Sequence, residues 1–181
     1  MNLNGKNILI TGGSLGIGKE TAIALFKKGA NILVTGRSKK RLISAFKNTS
    51  VKTIDFDIGN LDSIEVHAKK CLSILENKVD VLINNAGIGY GKSIEEINKE
   101  DFLQIFNVNV FGLSLFTKEI IPIMKGQNNG TIINIGSTAS LKGYKNGSIY
   151  ASSKFAVRCL SQCWQAELRK HNIRVCQINP S

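Results

Sequence analysis

Six short apolar runs rich in β-branched residues, each giving way to a turn and most of them then to a helical pattern, constrain what this 181-residue chain can fold into. The runs are Asn7–Thr11, Asn31–Thr35, Val51–Phe56, Val79–Ile83, Thr131–Ile135 and Arg174–Ile178. Between them, helical patterns run over Gly18–Gly29, Lys39–Asn48, Leu61–Leu75, Lys99–Met124 and Tyr150–His171. Ala22, Ile23, Leu25 and Phe26 share one face of the first, and Gly29 marks its end. Continuous apolar strands separated by helices indicate a parallel sheet covered on both faces. Right-handed crossovers then wind the helices onto both sides. The expectation is an α/β fold, a doubly wound parallel sheet in three layers (α/β/α), with residues 1–181 as one domain.

The first run leads into Thr11-Gly12-Gly13-Ser14-Leu15-Gly16-Ile17-Gly18 and then a helix. Glycines let the backbone turn tightly and approach a ligand, and the helix N-terminus behind them offers free N–H groups to a pyrophosphate. The spacing is Gly-x-x-x-Gly-x-Gly rather than the dinucleotide fingerprint Gly-x-Gly-x-x-Gly. An NAD site of the fingerprint type places a carboxylate after the second strand to hold the ribose 2′-hydroxyl. Here that strand ends Thr35-Gly36-Arg37-Ser38, a cation where the acid would be. A guanidinium pairs with phosphate oxygens, so NADP(H) is expected in preference to NAD(H).

Tyr150 and Lys154 stand four apart at a helix start, on one face. A phenol titrates near ~10, and a cation about 4 Å away is worth up to ~4 kcal/mol at an effective dielectric of 20. At ~1.4 kcal/mol per unit, that would bring the phenol toward ~7, where it works as acid or base. Ser137 closes the fifth strand thirteen residues before Tyr150, at the sheet edge where both would converge, and would hydrogen-bond a substrate oxygen.

Together these residues resemble the short-chain dehydrogenase/reductase family, with its Rossmann fold. The glycine loop matches the family's cofactor motif, whereas its extended members use Gly-x-x-Gly-x-x-Gly. Asp57-Ile58 resembles the adenine-contacting pair, Asn84-Asn85-Ala86-Gly87 the Asn-Asn-Ala-Gly turn, and Asn109 the helix asparagine. The resemblance implies a carbonyl–alcohol oxidoreductase in which Tyr150 exchanges the proton as hydride moves. Lys154 would hold the nicotinamide ribose and lower the tyrosine pKa, Ser137 would orient substrate, and Asn109 would help hold a water in a proton relay. The catalytic set is thus Asn109, Ser137, Tyr150 and Lys154. The cofactor set is Gly12, Ser14, Leu15, Gly16, Ile17, Gly18, Arg37, Ser38, Asp57, Ile58, Asn85, Ala86, Gly87, Tyr150, Lys154 and Pro180. In layout the chain resembles bacterial 3-oxoacyl-acyl-carrier-protein reductases. It departs from the family at Asn179-Pro180-Ser181, where Asn-Pro-Gly is usual, and in lacking the C-terminal lid, helix and last strand. A truncated cofactor-binding protein with little turnover is the alternative. The resemblance also pairs the Lys99–Met124 and Tyr150–His171 helices across a homodimer interface, with a tetramer less expected.

The formal charge is +11, from 24 Lys and Arg against 13 Asp and Glu. The lysines are scattered and no basic stripe is interleaved with aromatics, so no nucleic-acid partner is expected. No apolar run approaches the ~20 residues of a membrane span, and Met1-Asn2-Leu3-Asn4-Gly5-Lys6 lacks a signal peptide's apolar stretch, so a cytoplasmic protein is expected. Cys71, Cys159, Cys163 and Cys176 form no C-x-x-C pair and read as reduced packing residues, without a metal. His67 and His171 read as a solvated histidine and a helix C-terminal cation, and Trp164 as a packing residue.

Overall fold

The computed structural model describes residues 2–181. Six strands, β1 (Asn7–Thr11), β2 (Asn31–Gly36), β3 (Lys52–Asp55), β4 (Val81–Asn84), β5 (Gly130–Ile135) and β6 (Ile173–Ile178), form one parallel sheet in the order β3-β2-β1-β4-β5-β6. The helices are α1 (Gly16–Phe26), α2 (Lys39–Phe46), α3 (Ile64–Ile74), α4 (Lys99–Phe106), α5 (Leu113–Gly126) and α6 (Ser148–Leu168).

In the central strands β1, β2 and β4, alternate residues serve opposite layers. Leu9, Leu33, Leu82, Ile132 and Val175 face a core with Ala68 and Leu72 of α3, Phe116, Ile120 and Met124 of α5, and Leu168 of α6. Ile8, Ile10, Ile32, Val34, Val81 and Ile83 face a second core with Ala22 of α1 and Leu42 and Phe46 of α2. Burial on both faces is why β1, β2 and β4 read as unbroken apolar runs. At the amino edge, Lys6 bridges to the buried Asp80 at 2.9 Å, and Asp80 also accepts the Asn7 N–H, joining the entries of β1 and β4.

The expected Lys99–Met124 helix is one unbroken helical run, but its winding is not uniform. Between α4 and α5 the chain makes a π-helical stretch, Asn107–Gly112. A Cβ on Gly112 would overlap the Ile58 carbonyl oxygen, so a glycine lets this segment lie against the loop after β3. The Leu61–Leu75 helix likewise starts as a 3-10 turn over Leu61–Ser63, and Tyr150 is the third residue of α6 rather than its first.

Candidate active site

β1 and β4 are neighbours in the sheet although β2 and β3 lie between them in sequence, so the connections onward from their carboxyl ends run to opposite faces of the sheet and leave a crevice at that edge. Hydrogen bonds lock these two loops together. The Thr11 hydroxyl accepts the backbone N–H of Asn85 (3.2 Å) and of Ala86 (3.1 Å). In return the Asn85 amide donates to the carbonyls of Thr11 (3.1 Å) and Gly12 (2.8 Å). Gly12 holds φ at +67°, and a Cβ there would lie 2.5 Å from the Ala86 Cα. Gly16, at φ +53°, faces open space. Leu15 precedes α1 without a side-chain cap, and no acid stands in its first turn, so the N–H groups there are left to an anion.

A cavity of about 560 Å³ follows this carboxyl edge. Gly12, Ser14, Leu15, Gly16 and Ile17 wall one part of it, Arg37, Ser38, Asp57 and Ile58 another, and Asn85, Ala86 and Gly87 the middle. Ser137, Tyr150, Lys154 and Pro180 line it as well. Two residues named from the sequence stand off the wall. Gly18 packs beside the Asn85 amide, and Asn109 lies behind Gly87. Sequence reasoning missed several wall residues, among them Phe56, Ile88, Val108, Ile135 and Arg41. The first four are apolar and carried no chemical signal. Arg41 did carry one. Lys39, Lys40 and Arg41 open α2 with no acid in its first turn, although cations oppose the positive end of a helix. The Ser38 hydroxyl caps that turn through the Arg41 N–H at 3.3 Å.

Lys154 is 5% exposed and donates to the Ile135 carbonyl at 2.9 Å. Burial pushes its ammonium down to about 8. Its Nζ lies 5.8 Å from the centroid of the Tyr150 ring. Ser137, in extended backbone, begins a short 3-10 turn over Thr138–Ser140, and its hydroxyl accepts the Ala139 N–H at 3.1 Å. Asn109 is 1% exposed and clasps the backbone of Ile88, accepting its N–H at 2.9 Å and donating to its carbonyl at 3.0 Å. The second amide hydrogen goes to the Ser153 hydroxyl at 3.1 Å, which leaves a relay water no hydrogen of this side chain.

His67 is not simply solvated: it stacks on Phe56 with centroids 4.6 Å apart, and its Nδ1 lies 2.8 Å from the Ser63 carbonyl. Cys71 is buried, with its thiol pushed up to about 12 by burial, whereas Cys159 and Cys163 are exposed on α6 rather than packed within the chain. Trp164 does pack against the core. Among the described residues, no three of His, Cys, Asp and Glu converge as metal ligands, and no helix is long and apolar enough to cross a membrane.

The family model for short chain dehydrogenases matches residues 6–181. The 3-oxoacyl-acyl-carrier-protein reductase of Thermotoga maritima is 33% identical over 99% of this chain and 75% of its own. The NADP-dependent 3-hydroxy acid dehydrogenase of Schizosaccharomyces pombe is 33% identical over 98% of this chain and 71% of its own. Across the curated relatives the chain spans from 57% to 79% of their length. Among solved structures, a metagenomic short-chain oxidoreductase in complex with NADP superposes with a TM-score of 0.93 at 28% identity, over 100% of this chain and 83% of that one. An NAD+-bound xylitol dehydrogenase superposes with the same score at 29% identity, over 99% and 71%.

Proposed function

The chain belongs to the short-chain dehydrogenase family, oxidoreductases of CH–OH groups, and on that premise we propose that it interconverts a small carbonyl compound and its alcohol with NADP(H), Tyr150 exchanging the proton. The observation that carries this is one cavity whose wall holds the glycine loop, Arg37 and Ser38, and also Ser137, Tyr150 and Lys154.

The residues fit a dinucleotide. A Cβ would fill the cradle at Gly12, Gly16 is left-handed over open space, and the α1 N-terminus offers its N–H groups to a pyrophosphate. Asp57 and Ile58 would take the adenine, and Asn85, Ala86 and Gly87 would form the floor toward the nicotinamide. The nucleotide, when bound, supplies or receives the hydride. Ser137 spends a lone pair on the Ala139 N–H and so keeps its own hydrogen for the substrate oxygen. Tyr150 gives a proton to that oxygen in reduction and removes it in oxidation, so that hydride plus proton make up the two-electron change. Lys154 uses one of its three hydrogens on Ile135 and keeps two for ribose hydroxyls and the phenol. Asn109 acts through the Ile88 backbone, which it fixes beside Gly87.

The choice of NADP(H) rests on Arg37 and Ser38 and on the absence of a carboxylate at the end of β2. We further place the protein in the cytoplasm, in keeping with four free cysteines, and as a homodimer. The test is consumption of NADPH and NADH against a panel of carbonyl compounds. Turnover is expected with NADPH, falling by about 10²-fold or more in Tyr150→Phe as the proton donor goes. Arg37→Ala is expected to weaken NADPH about 10-fold or more and leave NADH unchanged, because a charged pair is worth roughly 1.5–3 kcal/mol. Tight NADPH binding with no turnover on any substrate would instead mark a cofactor-binding protein.

A further inference from the structure

Ser153 lies outside every role assigned above, yet it is fully buried at 0% exposure and sits one residue before Lys154. Its hydroxyl has two partners. It accepts the Asn109 Nδ2 at 3.1 Å and donates to the Tyr150 backbone carbonyl at 2.7 Å. Asn109 in turn holds both the N–H and the carbonyl of Ile88. An unbroken line of hydrogen bonds therefore runs from the floor of the cavity, through the π-helical stretch, to the first turn of α6. In the middle of that line only a hydroxyl serves, because the site needs one acceptor and one donor on the same small group.

We propose that Ser153 is a positioning residue for hydride transfer: it fixes Tyr150 relative to the cavity-lining Ile88 segment that would face the nicotinamide, acting through Asn109. The inference rests on the oxidoreductase reading. Backbone segments on opposite sides of a reacting pair are normally free to drift by fractions of an ångström, and such drift is enough to slow a transfer that depends on donor–acceptor distance. Here the two sides are joined by four hydrogen bonds of 2.7–3.1 Å with no exposed link. Neighbouring Ser152 supplies the comparison. It makes the same bond to the third residue before it, Ile149, at 2.9 Å, but is exposed and does not touch Asn109.

Ser153→Ala removes one oxygen and adds no volume, so the chain should fold. It leaves one buried amide hydrogen of Asn109 without an acceptor. Three readouts separate positioning from mere stability, each taken on Ser153→Ala and on Ser152→Ala. With saturating NADPH, kcat is expected to fall about 10-fold in Ser153→Ala while the NADPH dissociation constant changes less than about 2-fold, since the misplacement acts on the transfer and not on binding. The deuterium isotope effect on kcat with 4-deuterated NADPH is expected to rise toward its intrinsic value. Exchange of the Ile88 amide hydrogen, followed without any substrate, is expected to speed up about 10-fold as the clasp loosens. Ser152→Ala should match wild type in all three. A lower melting temperature with wild-type kcat, isotope effect and Ile88 exchange would overturn the proposal, as would equal changes in both variants. Wild-type protein without turnover would defeat the oxidoreductase reading instead, and Ile88 exchange would still decide whether Ser153 positions this segment.

Discussion

Lys154 keeps an ammonium at a site 5% exposed, its hydrogen bond a neutral one to the Ile135 carbonyl. Burial brings its pKa down to about 8 from 10.5. Between those values the unfolded chain holds more protons than the folded one, so stability rises with pH across this window. Below about pH 8 the penalty is fully present, on the order of 3 kcal/mol from the size of the shift. Lys154→Met should therefore stabilise the nucleotide-free protein at pH 7. After about 1 kcal/mol is subtracted for the lost Ile135 bond, roughly 2 kcal/mol remains, or about 4–8 °C in melting temperature. The gain should shrink toward pH 10.5, and activity should be lost. A lower melting temperature at pH 7 would refute a charge held at a cost to folding. Such a cost is a mark of a functional group rather than a structural one. The Tyr–Lys spacing was legible in the sequence because i and i+4 meet on any helix. The depth of Lys154 was not, since it depends on how β5 and α6 pack.

At the scale of elements, strand positions were readable because burial on both faces demands unbroken apolar runs. The change of winding between α4 and α5 was not. A π-helical stretch adds backbone without changing which residue types are apolar, so a uniform α-helix over Lys99–Met124 and one with a π segment in its middle look alike in composition. Its one visible trace is Gly112, and glycine in a helix has several meanings. The structure selects one: the close approach to the Ile58 carbonyl, three residues beyond the Asp55 end of β3 and next to Asp57. Gly112→Ala should push these segments apart and destabilise the fold by about 1–3 kcal/mol, as overpacking does. It should also weaken nucleotide binding, because Asp57 and Ile58 line the cavity. A melt and a titration test the two effects together. An unchanged melting temperature would mean that the loop gives way freely.

For the whole molecule, the apolar surface is unevenly placed. Phe102 and Leu103 of α4, Phe111 of the π-helical stretch, Leu115 of α5 and Phe155 of α6 are each 38–44% exposed. Phe102, Phe106 and Phe111 run on continuously, with ring centroids 6.1 and 6.2 Å apart. Large exposed apolar patches on a soluble domain mark contact sites. A homodimer formed through this face would cover them, and light scattering at micromolar concentration should return twice the chain mass. Phe155→Lys, an exposed change that leaves both cores intact, should return one. The charge supplies an independent check. Each copy carries a formal +11, so two copies repel over distances that salt shortens, with a screening length of about 10 Å at 0.1 M. An apolar contact between like-charged copies therefore tightens as salt rises, whereas one held by ion pairs loosens. Raising salt from 50 to 300 mM should lower the dimer dissociation constant. A rise would assign the contact to charged residues, and a monomer at every salt concentration would leave the aromatic run without a partner of its own kind.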